Sequence, residues 1–412
     1  MPKILRPHSR LLGLLGLIYH QSPVSRSELA VKTGYSAFLV SKMCDELIQR
    51  NFVCETGPGN STGGRPPTLL SINPDLGRLV GVHIGTVNVR IAVTDISGKT
   101  LAYLKAPSRV ESGPEAALGH LISQVQECMR RASVTRGRLR GIGIGISGVL
   151  DRTAGTTVFW PKVPQWVNVP VKQIFSQHFE VPVEIEDSPR TMAMGERRVG
   201  EAGRADPFIY VTVGAGTGAA IFLRGELFTG AGGFAGEFGH ITVDRSGPLC
   251  SCGNRGCVEA LVSASALIRH ARTAVADGLA IELWQLCQGD PNRITLELIA
   301  QAASQNDRFS LSLLEQAGEH LGMGLVALVN LFNPALIVLA GGLAVAAGNL
   351  LLPTVERVIQ QRALVQAARS LRIQISTLDE SDWARGAALL VSEKALEQVL
   401  QEALQVSEVP VA

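Results

Sequence analysis

The sequence lacks a strong excess of charge of either sign: 38 basic residues face 36 acidic ones over 412 residues, a formal net charge of +2. This balance excludes a chain that binds nucleic acid through its global charge. The 43 glycines and 20 prolines show no three-residue period, which excludes a collagen-like chain. A hydrophobic content of 46% excludes a disordered chain and is ample for a core in two or three domains.

Cysteine is scarce and unevenly placed. Seven is an odd number, and three of the seven lie between Cys250 and Cys257, whereas a secreted disulfide framework favours an even and spread set. The apolar residues 11–18 are not followed by a cleavage site, and the uncharged residues 322–352 are interrupted by asparagine, proline and glycine. We therefore expect a cytoplasmic protein with no membrane insertion.

Residues 9–50 predict three short helices. Ser25 is placed as an N-cap, and Glu28 three residues later completes a capping box. This second helix ends at Gly34, and a third begins at Ser36. A helix, a short glycine-containing turn and another helix form the helix-turn-helix pattern.

Two short strands, at residues 52–55 and 68–72, follow these helices. Between them lies a segment rich in Gly, Ser and Pro, residues 56–67, which is typical of a wing. Residues 1–75 therefore predict a winged helix-turn-helix domain that binds DNA. The alternative is a small helical subdomain of another purpose, with this loop as a linker.

The start of the third helix faces the major groove in such domains, and the wing reaches phosphates or the minor groove. The predicted DNA contacts are Ser36, Ala37, Phe38, Ser41 and Lys42 of the third helix, and Arg65 of the wing. Ala37 and Phe38 cannot form hydrogen bonds with base edges, so an apolar contact with a thymine methyl group is all they can add.

From residue 79 onward the pattern changes to α/β, with two similar halves that each open on a strand and a glycine turn. The predicted strands are residues 79–84, 89–94, 101–105, 141–146, 181–185 and 208–213, with an amphipathic helix at residues 114–132.

The most specific chemical motif is one imidazole and three thiols within 18 residues. These are His240, Cys250, Cys252 and Cys257. They are the tetrahedral ligand set of a structural zinc ion, with no vacant position for water. Gly253 and Gly256 allow the tight turn that returns the chain to the metal. The alternative is a group of ordinary buried or redox cysteines.

Two further features are less specific. A glycine-rich turn at residues 213–218 follows an apolar strand, and it either exposes backbone N–H groups to a phosphate or allows close packing. The carboxylates of Asp187, Glu237 and Glu259 can accept hydrogen bonds from sugar hydroxyls, although solvated surface acids are the ordinary explanation.

Together these pieces resemble the ROK family of repressors, open reading frames and sugar kinases. The resemblance is carried by residues 232–240 (GGFAGEFGH), by the Cys-x-Cys-Gly-x-x-Gly-Cys-x-Glu pattern that follows, by residues 25–29 and by residues 63–67. It implies an actin-like (ribonuclease H-like), two-lobed ATPase fold of the sugar-kinase type with the sugar in the cleft. It also implies that Glu237, His240 and Glu259 contact the sugar, His240 through the nitrogen not used for zinc.

With this fold, we expect a first lobe over residues 76–186 and a second lobe with the zinc loop over 187–384. We expect the C-terminal helix, 385–412, to pack back on the first lobe.

Two departures from the family's kinases favour a regulator. His83 stands where the kinases have the aspartate that helps hold the metal-bound phosphates, and Ser188 stands where they have the aspartate that acts as base. Serine has no useful basicity at neutral pH, and loss of a positioned base typically costs ~10²–10⁴-fold in rate. We therefore expect no catalytic residue and a cleft that only binds.

The leading hypothesis is a sugar-responsive repressor of carbohydrate-metabolism genes. It would bind a palindromic operator as a homodimer or homotetramer, with a sugar or sugar phosphate as effector. The alternatives are an ATP-dependent kinase of hexoses or N-acetylhexosamines with an appended DNA-binding domain, and a regulator silenced by a partner protein.

Overall fold

The protein divides into two compact units. The computed structural model describes residues 7–59, 66–203 and 205–406. Unit 1 comprises Met1–Thr191 and Glu380–Ala412, and unit 2 comprises Met192–Asp379. The expected lobe boundaries, after residues 186 and 384, fall within five residues of these divisions. The winged helix-turn-helix region belongs to unit 1.

The N-terminal part of unit 1, called here the reader domain, has the three predicted helices and two predicted strands, with a further two-residue strand between the first two helices. Its elements are α1 (Pro7–Gln21), β1 (Val24–Ser25), α2 (Arg26–Thr33), α3 (Ala37–Gln49), β2 (Val53–Pro58) and β3 (Thr68–Ile72). The strands form an antiparallel sheet in the order β1-β3-β2. The capping box is confirmed, because Ser25 accepts a hydrogen bond from the Glu28 N–H and the Glu28 carboxylate accepts one from the Ser25 N–H. Arg65 lies outside the described residues.

The rest of the chain alternates strands and helices. Unit 1 continues with β4 (Arg78–Ile84), β5 (Asn88–Asp95), β6 (Thr100–Pro107), α4 (Pro114–Arg131), β7 (Leu139–Ile146), β8 (Val149–Asp151), β9 (Thr156–Phe159), α5 (Val171–Phe179) and β10 (Val183–Asp187), and α6 (Ser188–Val199) crosses into unit 2. Unit 2 contains β11 (Phe208–Val213), β12 (Thr217–Leu223), β13 (Glu226–Phe228), α7 (Val258–Val262), α8 (Ala264–Ala276), α9 (Ile281–Leu286), α10 (Leu296–Ser304), α11 (Arg308–Phe332), β14 (Leu336–Ala340), α12 (Gly342–Arg362), α13 (Val365–Ser370) and β15 (Arg372–Ile375). The chain then returns to unit 1 with α14 (Glu380–Leu389) and α15 (Ser392–Val406).

The two units repeat one sheet topology. In unit 1 the order is β10-β7-β4-β5-β6, where β4, β5 and β6 form an antiparallel meander and β7 and β10 lie parallel to β4. In unit 2 the order is β13-β12-β11-β14-β15, with β11, β12 and β13 as the meander and β14 and β15 parallel to β11. The two similar halves predicted from the sequence are therefore confirmed.

The sheet of unit 1 has helices on both faces. One face packs with α4 and α5 in a buried apolar cluster. The other face meets α14 at glycines: a Cβ added to Gly81 would lie 1.8 Å from the Ala384 carbonyl oxygen, and one added to Gly143 would lie 1.8 Å from that of Ala387. Helix α14 therefore lies so close to the sheet that only glycine fits beneath it.

The single C-terminal helix expected over 385–412 is wrong, because two helices occupy this region. Helix α14 ends at Leu389, whose carbonyl oxygen accepts a hydrogen bond from the Ser392 hydroxyl at 2.6 Å. Ser392 is buried and begins α15. At this break the Ser392 hydroxyl thus satisfies a carbonyl group at the end of α14 that has no partner within the helix.

Helix α15 shares its apolar core with the reader domain. The buried residues Ala395, Leu396, Val399 and Leu400 of α15 belong to the same cluster as the buried face of α1. His20 of α1 lies 2.8 Å (Nε2 to Oε1) from Glu393 of α15. The C-terminus of the chain therefore helps to hold its N-terminal domain.

The uncharged segment of unit 2 contains the end of α11, then β14, then the start of α12. Helix α12 is long and apolar enough to cross a membrane by length and composition alone. Eight of its residues are nevertheless buried, among them Leu351, Val355 and Ile359 in the core of unit 2. This pattern is that of a core helix.

Candidate functional site

The four predicted metal ligands lie together in unit 2. One ligand atom from each of His240, Cys250, Cys252 and Cys257 falls within 4.8 Å of all the others. The Cys250 Sγ is 3.6 Å from His240 Nδ1, and the Cys252 Sγ is 3.7 Å from the Cys257 Sγ. One nitrogen and three sulfurs at these separations can hold a metal ion.

A tight loop brings the three sulfurs together. Gly253 and Gly256 have φ angles of +92° and +63°, as the sequence indicated. A Cβ on Gly256 would lie 1.4 Å from the Asp244 carbonyl oxygen, so no other residue fits there. Cys257 is fully buried, and Cys252 is exposed.

The thiols differ in their readiness to ionise. Burial, together with the neighbouring thiols of Cys252 and Cys250, raises the pKa of Cys257 to about 12. A hydrogen bond from the Asn254 backbone lowers the pKa of Cys252. Three thiolates in such a cluster need a cation to balance them, which is the chemistry of a soft divalent metal site.

The His240 ring has two different surroundings. Its Nδ1 faces the sulfurs, while its Nε2 lies 3.9 Å from the carboxylate of Glu237. Glu237 is itself exposed, with 59% of its side chain accessible. A ligand at this carboxylate would therefore meet the nitrogen that the sulfur cluster does not use, as the family resemblance implied.

Glu259 connects this region to the glycine-rich turn. Its carboxylate accepts a hydrogen bond from the Thr217 N–H at 2.8 Å. A Cβ on Gly239 would lie 2.1 Å from the Thr217 carbonyl oxygen, so the turn that carries His240 also packs on Thr217. The Thr217 N–H, one of the turn's candidate groups for binding phosphate, is therefore already hydrogen-bonded to Glu259. The close-packing explanation of this turn is also supported at Gly214, where an added Cβ would lie 3.0 Å from the Gly342 nitrogen.

Asp187, the fourth predicted sugar residue, lies in unit 1 at the carboxyl end of β10. Its neighbour Glu186 is buried and lies 2.6 Å from the Arg152 guanidinium and 3.4 Å from that of Arg190. The Asp187 N–H also donates to the Glu186 carboxylate, at 2.7 Å. The carboxylate of Glu186 is therefore occupied by partners within unit 1. Asp187, in contrast, is only half-buried.

Ser188 is the next residue and is 5% exposed. Its hydroxyl oxygen accepts a hydrogen bond from the Ser147 hydroxyl at 3.3 Å. Two serines thus face each other at this point, and a hydroxyl partnered by a hydroxyl gains no basicity.

His83 is buried on β4 beneath α14. Burial, together with the positive charge of Arg90, lowers its pKa to about 3. Its ring centroid lies 5.6 Å from that of Trp383, over which the Arg90 guanidinium packs at 4.8 Å. Glu380 accepts hydrogen bonds from Arg90 and from Lys105. A neutral imidazole therefore stands at this position.

The predicted DNA contacts on α3 lie at its N-terminal end. Ser36 is the N-cap, and its side chain accepts the Leu39 N–H at 3.3 Å. Ala37, Phe38 and Lys42 are exposed, and Ser41 is half-buried. The structure therefore presents these side chains at one end of the reader domain.

Comparison with known proteins identifies the family. The ROK family model matches residues 79–394, most of the chain. The chain belongs to the ROK family. Among its ROK relatives, a xylose repressor of Caldicellulosiruptor bescii is 33% identical over 388 residues, which cover 94% of this chain and 96% of the relative. The DNA-binding transcriptional dual regulator NagC of Escherichia coli is 30% identical over 395 residues, covering 94% of this chain and 93% of NagC.

Solved ROK structures share the fold. A ROK family transcriptional regulator, described as a homologue of the E. coli Mlc protein, aligns over 96% of this chain with a TM-score of 0.77 and 24% identity. A ROK family glucokinase from Streptomyces griseus, solved with glucose and AMPPNP, aligns over 76% of this chain and 99% of its own with a TM-score of 0.67 and 29% identity.

Sequence reasoning missed several residues that contact the candidate site residues or their neighbours. Thr217 joins Glu259 to the His240 turn, and its Oγ1 is buried without a hydrogen bond among the described residues. Arg152 reaches Glu186 from 34 positions away, and Ser147 reaches Ser188 from 41 positions away. Of these residues, Arg190 is the one close to its partner in the sequence, since it follows Glu186 by four positions, from the end of β10 into α6.

Proposed function

We propose that this chain is a sugar-responsive transcriptional repressor of carbohydrate-metabolism genes. The observation that carries the proposal is that one polypeptide joins a winged helix-turn-helix to a ROK body. Its named relatives that cover 94% of the chain are a xylose repressor and a dual regulator of transcription. The glucokinase structure aligns over only 76% of the chain.

The proposed effector is a sugar or sugar phosphate. Its proposed contacts are Glu237, His240 and Glu259, with Asp187 as a further sugar-binding residue. The Glu237 carboxylate lies 3.9 Å from the His240 Nε2, and both side chains are partly or largely exposed. Carboxylates and an imidazole can accept and donate the hydrogen bonds that sugar hydroxyls require.

Zinc is the proposed metal of the His/Cys cluster. His240 Nδ1 and the sulfurs of Cys250, Cys252 and Cys257 would be its ligands, and with all four positions filled its role is structural. When bound, zinc would supply the charge that keeps the three thiols ionised and would fix the His240 ring. The Glu237–His240 turn and Glu259 are thereby kept in one arrangement.

Catalysis is not part of the proposal. His83 is buried and neutral, so it cannot replace a carboxylate that binds metal-bound phosphates. Ser188 offers only a hydroxyl hydrogen-bonded to Ser147. These two substitutions support binding without phosphoryl transfer. The alternative remains an ATP-dependent sugar kinase with a DNA-binding domain.

We propose that the N-terminal part of α3 binds in the major groove of DNA, with contacts from Ser36, Ala37, Phe38, Ser41 and Lys42. Arg65 of the wing would contact phosphates or the minor groove. A palindromic operator requires a two-fold assembly, so we propose a homodimer or homotetramer in the cytoplasm, with a regulatory partner protein as an additional means of control.

A melting experiment tests the effector. The zinc-loaded chain would be heated with xylose, glucose, N-acetylglucosamine, its 6-phosphate, and ATP–Mg in separate samples. One sugar at about 100 times its Kd should add about 2.7 kcal/mol of stability, which raises the melting midpoint. A midpoint raised by ATP–Mg, and raised further when sugar is present, would instead support the kinase.

Two cysteine variants test the metal. Cys252→Ser should lower the zinc stoichiometry and abolish the sugar-induced shift of the midpoint. Cys54→Ser is the matched control, because Cys54 lies half-buried in β2 of the reader domain. Retention of a full equivalent of zinc by Cys252→Ser would contradict the ligand assignment.

A further inference from the structure

One aromatic side chain of the reader domain has almost no protein around it. Phe38 is 80% exposed, and it is absent from the apolar residues that pack on the reader core. By contrast, Val40, Met43, Cys44 and Leu47 of the same helix are buried. Among the exposed large hydrophobic side chains of the described residues, Phe38 is the most exposed aromatic one, and its ring forgoes the stabilisation that burial would give.

The ring stands in the first turn of α3. Side chains on a helix lean toward its N-terminus, so the Phe38 ring extends toward the end that helix-turn-helix proteins insert into the major groove. Its neighbours offer less to a base: the Ser36 oxygen already accepts the Leu39 N–H, and Ala37 presents a single methyl group. Phe38 is therefore the largest apolar side chain exposed in the first turn of this helix.

The chemistry of the major groove selects the partner of such a ring. A phenyl ring has no hydrogen-bond donor or acceptor, and thymine is the base that presents an apolar group there, its C5 methyl. We propose that Phe38 packs on the C5 methyl of a thymine in each operator half-site and thereby makes that thymine a specificity determinant. The inference rests on the proposed DNA-binding function and deepens it.

The experiment removes the methyl group from the DNA. The full-length chain would first select a duplex from a randomised 24-base-pair pool, and each thymine of that duplex would then be replaced by deoxyuracil. Binding would be measured by fluorescence anisotropy. For the wild-type chain, one thymine position should weaken binding about fourfold when substituted in one half-site, and about 15-fold in both, as expected for burial of one methyl group.

Three variants assign the effect to the ring. Phe38→Ala should bind the thymine and deoxyuracil duplexes within twofold of each other, while Phe38→Leu should keep the discrimination. Val31→Ala is the matched control, because Val31 is 84% exposed on α2 and its truncation should leave the fourfold ratio intact. Since Phe38 is exposed and alanine is the better helix former, Phe38→Ala should melt no lower than the wild type.

The outcomes separate the inference from the function on which it rests. A chain that selects no duplex overturns both. Selection of a duplex with no thymine sensitivity, or sensitivity that survives in Phe38→Ala, overturns only the role of Phe38. A Phe38→Ala chain whose oligomeric mass falls while its thymine ratio is unchanged would show that the ring packs on a second copy, and this also overturns the inference.

Discussion

Replacing Gly143 by alanine tests how α14 is held on the sheet of unit 1. The new Cβ would lie 1.8 Å from the Ala387 carbonyl oxygen and 2.8 Å from its carbon. Both atoms belong to the backbone of α14, so no side-chain rotation relieves the clash and the helix must move. Overpacking of a core typically costs 1–3 kcal/mol of stability. Because the clash is with backbone atoms, we expect a cost of about 3 kcal/mol here.

A smaller effect opposes this strain. Alanine reduces the entropy of the unfolded chain by about 0.5–1 kcal/mol relative to glycine, so the net loss should be about 2 kcal/mol. For a unit of about 220 residues, this corresponds to a midpoint lowered by roughly 4–8 °C. Urea unfolding should give the same loss of free energy without a change in slope.

Gly119→Ala is the control for this prediction. Gly119 is exposed within α4, and nothing lies within 4 Å of a Cβ added there. This variant should be more stable than the wild type by about 0.5–1 kcal/mol. If Gly143→Ala and Gly119→Ala shift the midpoint in the same direction, α14 does not seat on the sheet as described, and the reasoning fails.

Two further predictions concern local charges and caps. Ser25→Ala removes the capping box of α2 and should cost about 1 kcal/mol in urea unfolding, whereas Ser123→Ala, at an exposed position inside α4, should cost almost nothing. Burial works to raise the pKa of Glu380, but hydrogen bonds from Arg90 and Lys105 prevail and hold it below its ordinary 4.5. A carboxylate with a lowered pKa contributes stability above pH 4.5 and loses it as the pH falls through the folded value. Glu380→Gln should therefore be less stable than the wild type at pH 7, by about 1 kcal/mol allowing for partial exposure, and the gap should close near pH 3; a gap that persists there would refute the ionic role.

Features encoded over short distances could be predicted from the sequence. The capping box needs only Ser25 and Glu28, and the metal cluster needs only 18 consecutive residues whose glycines fix the turn. The strands of unit 1 and its long helix α4 could be predicted from the periodicity of their apolar residues. Such signals depend on neighbours along the chain, so no knowledge of the fold is required.

Features that depend on distant parts of the chain could not be predicted. The alternation of Gly141, Gly143 and Gly145 with isoleucine looks like an ordinary buried strand until α14, some 240 residues later, is placed on it. The bond from Thr217 to Glu259 joins a turn to a helix 42 positions away. The break between α14 and α15 was missed because no glycine or proline marks it, and the Ser392 hydroxyl satisfies the freed carbonyl instead.

Helix α15 provides the last prediction, because its apolar face belongs to the reader core. Leu396 is 2% exposed and clusters with the buried residues of α1, and the Arg50 guanidinium at the end of α3 lies 3.4 Å from the Ala403 carbonyl oxygen of α15. Leu396→Ala should cost about 2–5 kcal/mol through the cavity it leaves.

The position of that cavity determines where protection from hydrogen exchange is lost. Amides of α1 and α3 should exchange faster in Leu396→Ala, while those of α11, in the core of unit 2, should keep their rates. Glu397→Ala, an exposed neighbour on the same helix, is the control and should change neither set. The proposed DNA binding requires a folded reader domain, so operator affinity should fall in proportion to the fraction of the domain that stays closed, and by the full free energy only where the open form predominates. If α1 keeps its protection in Leu396→Ala, α15 does not support the reader domain. The apolar cluster that α15 shares with α1 would then contribute nothing to the stability of that domain.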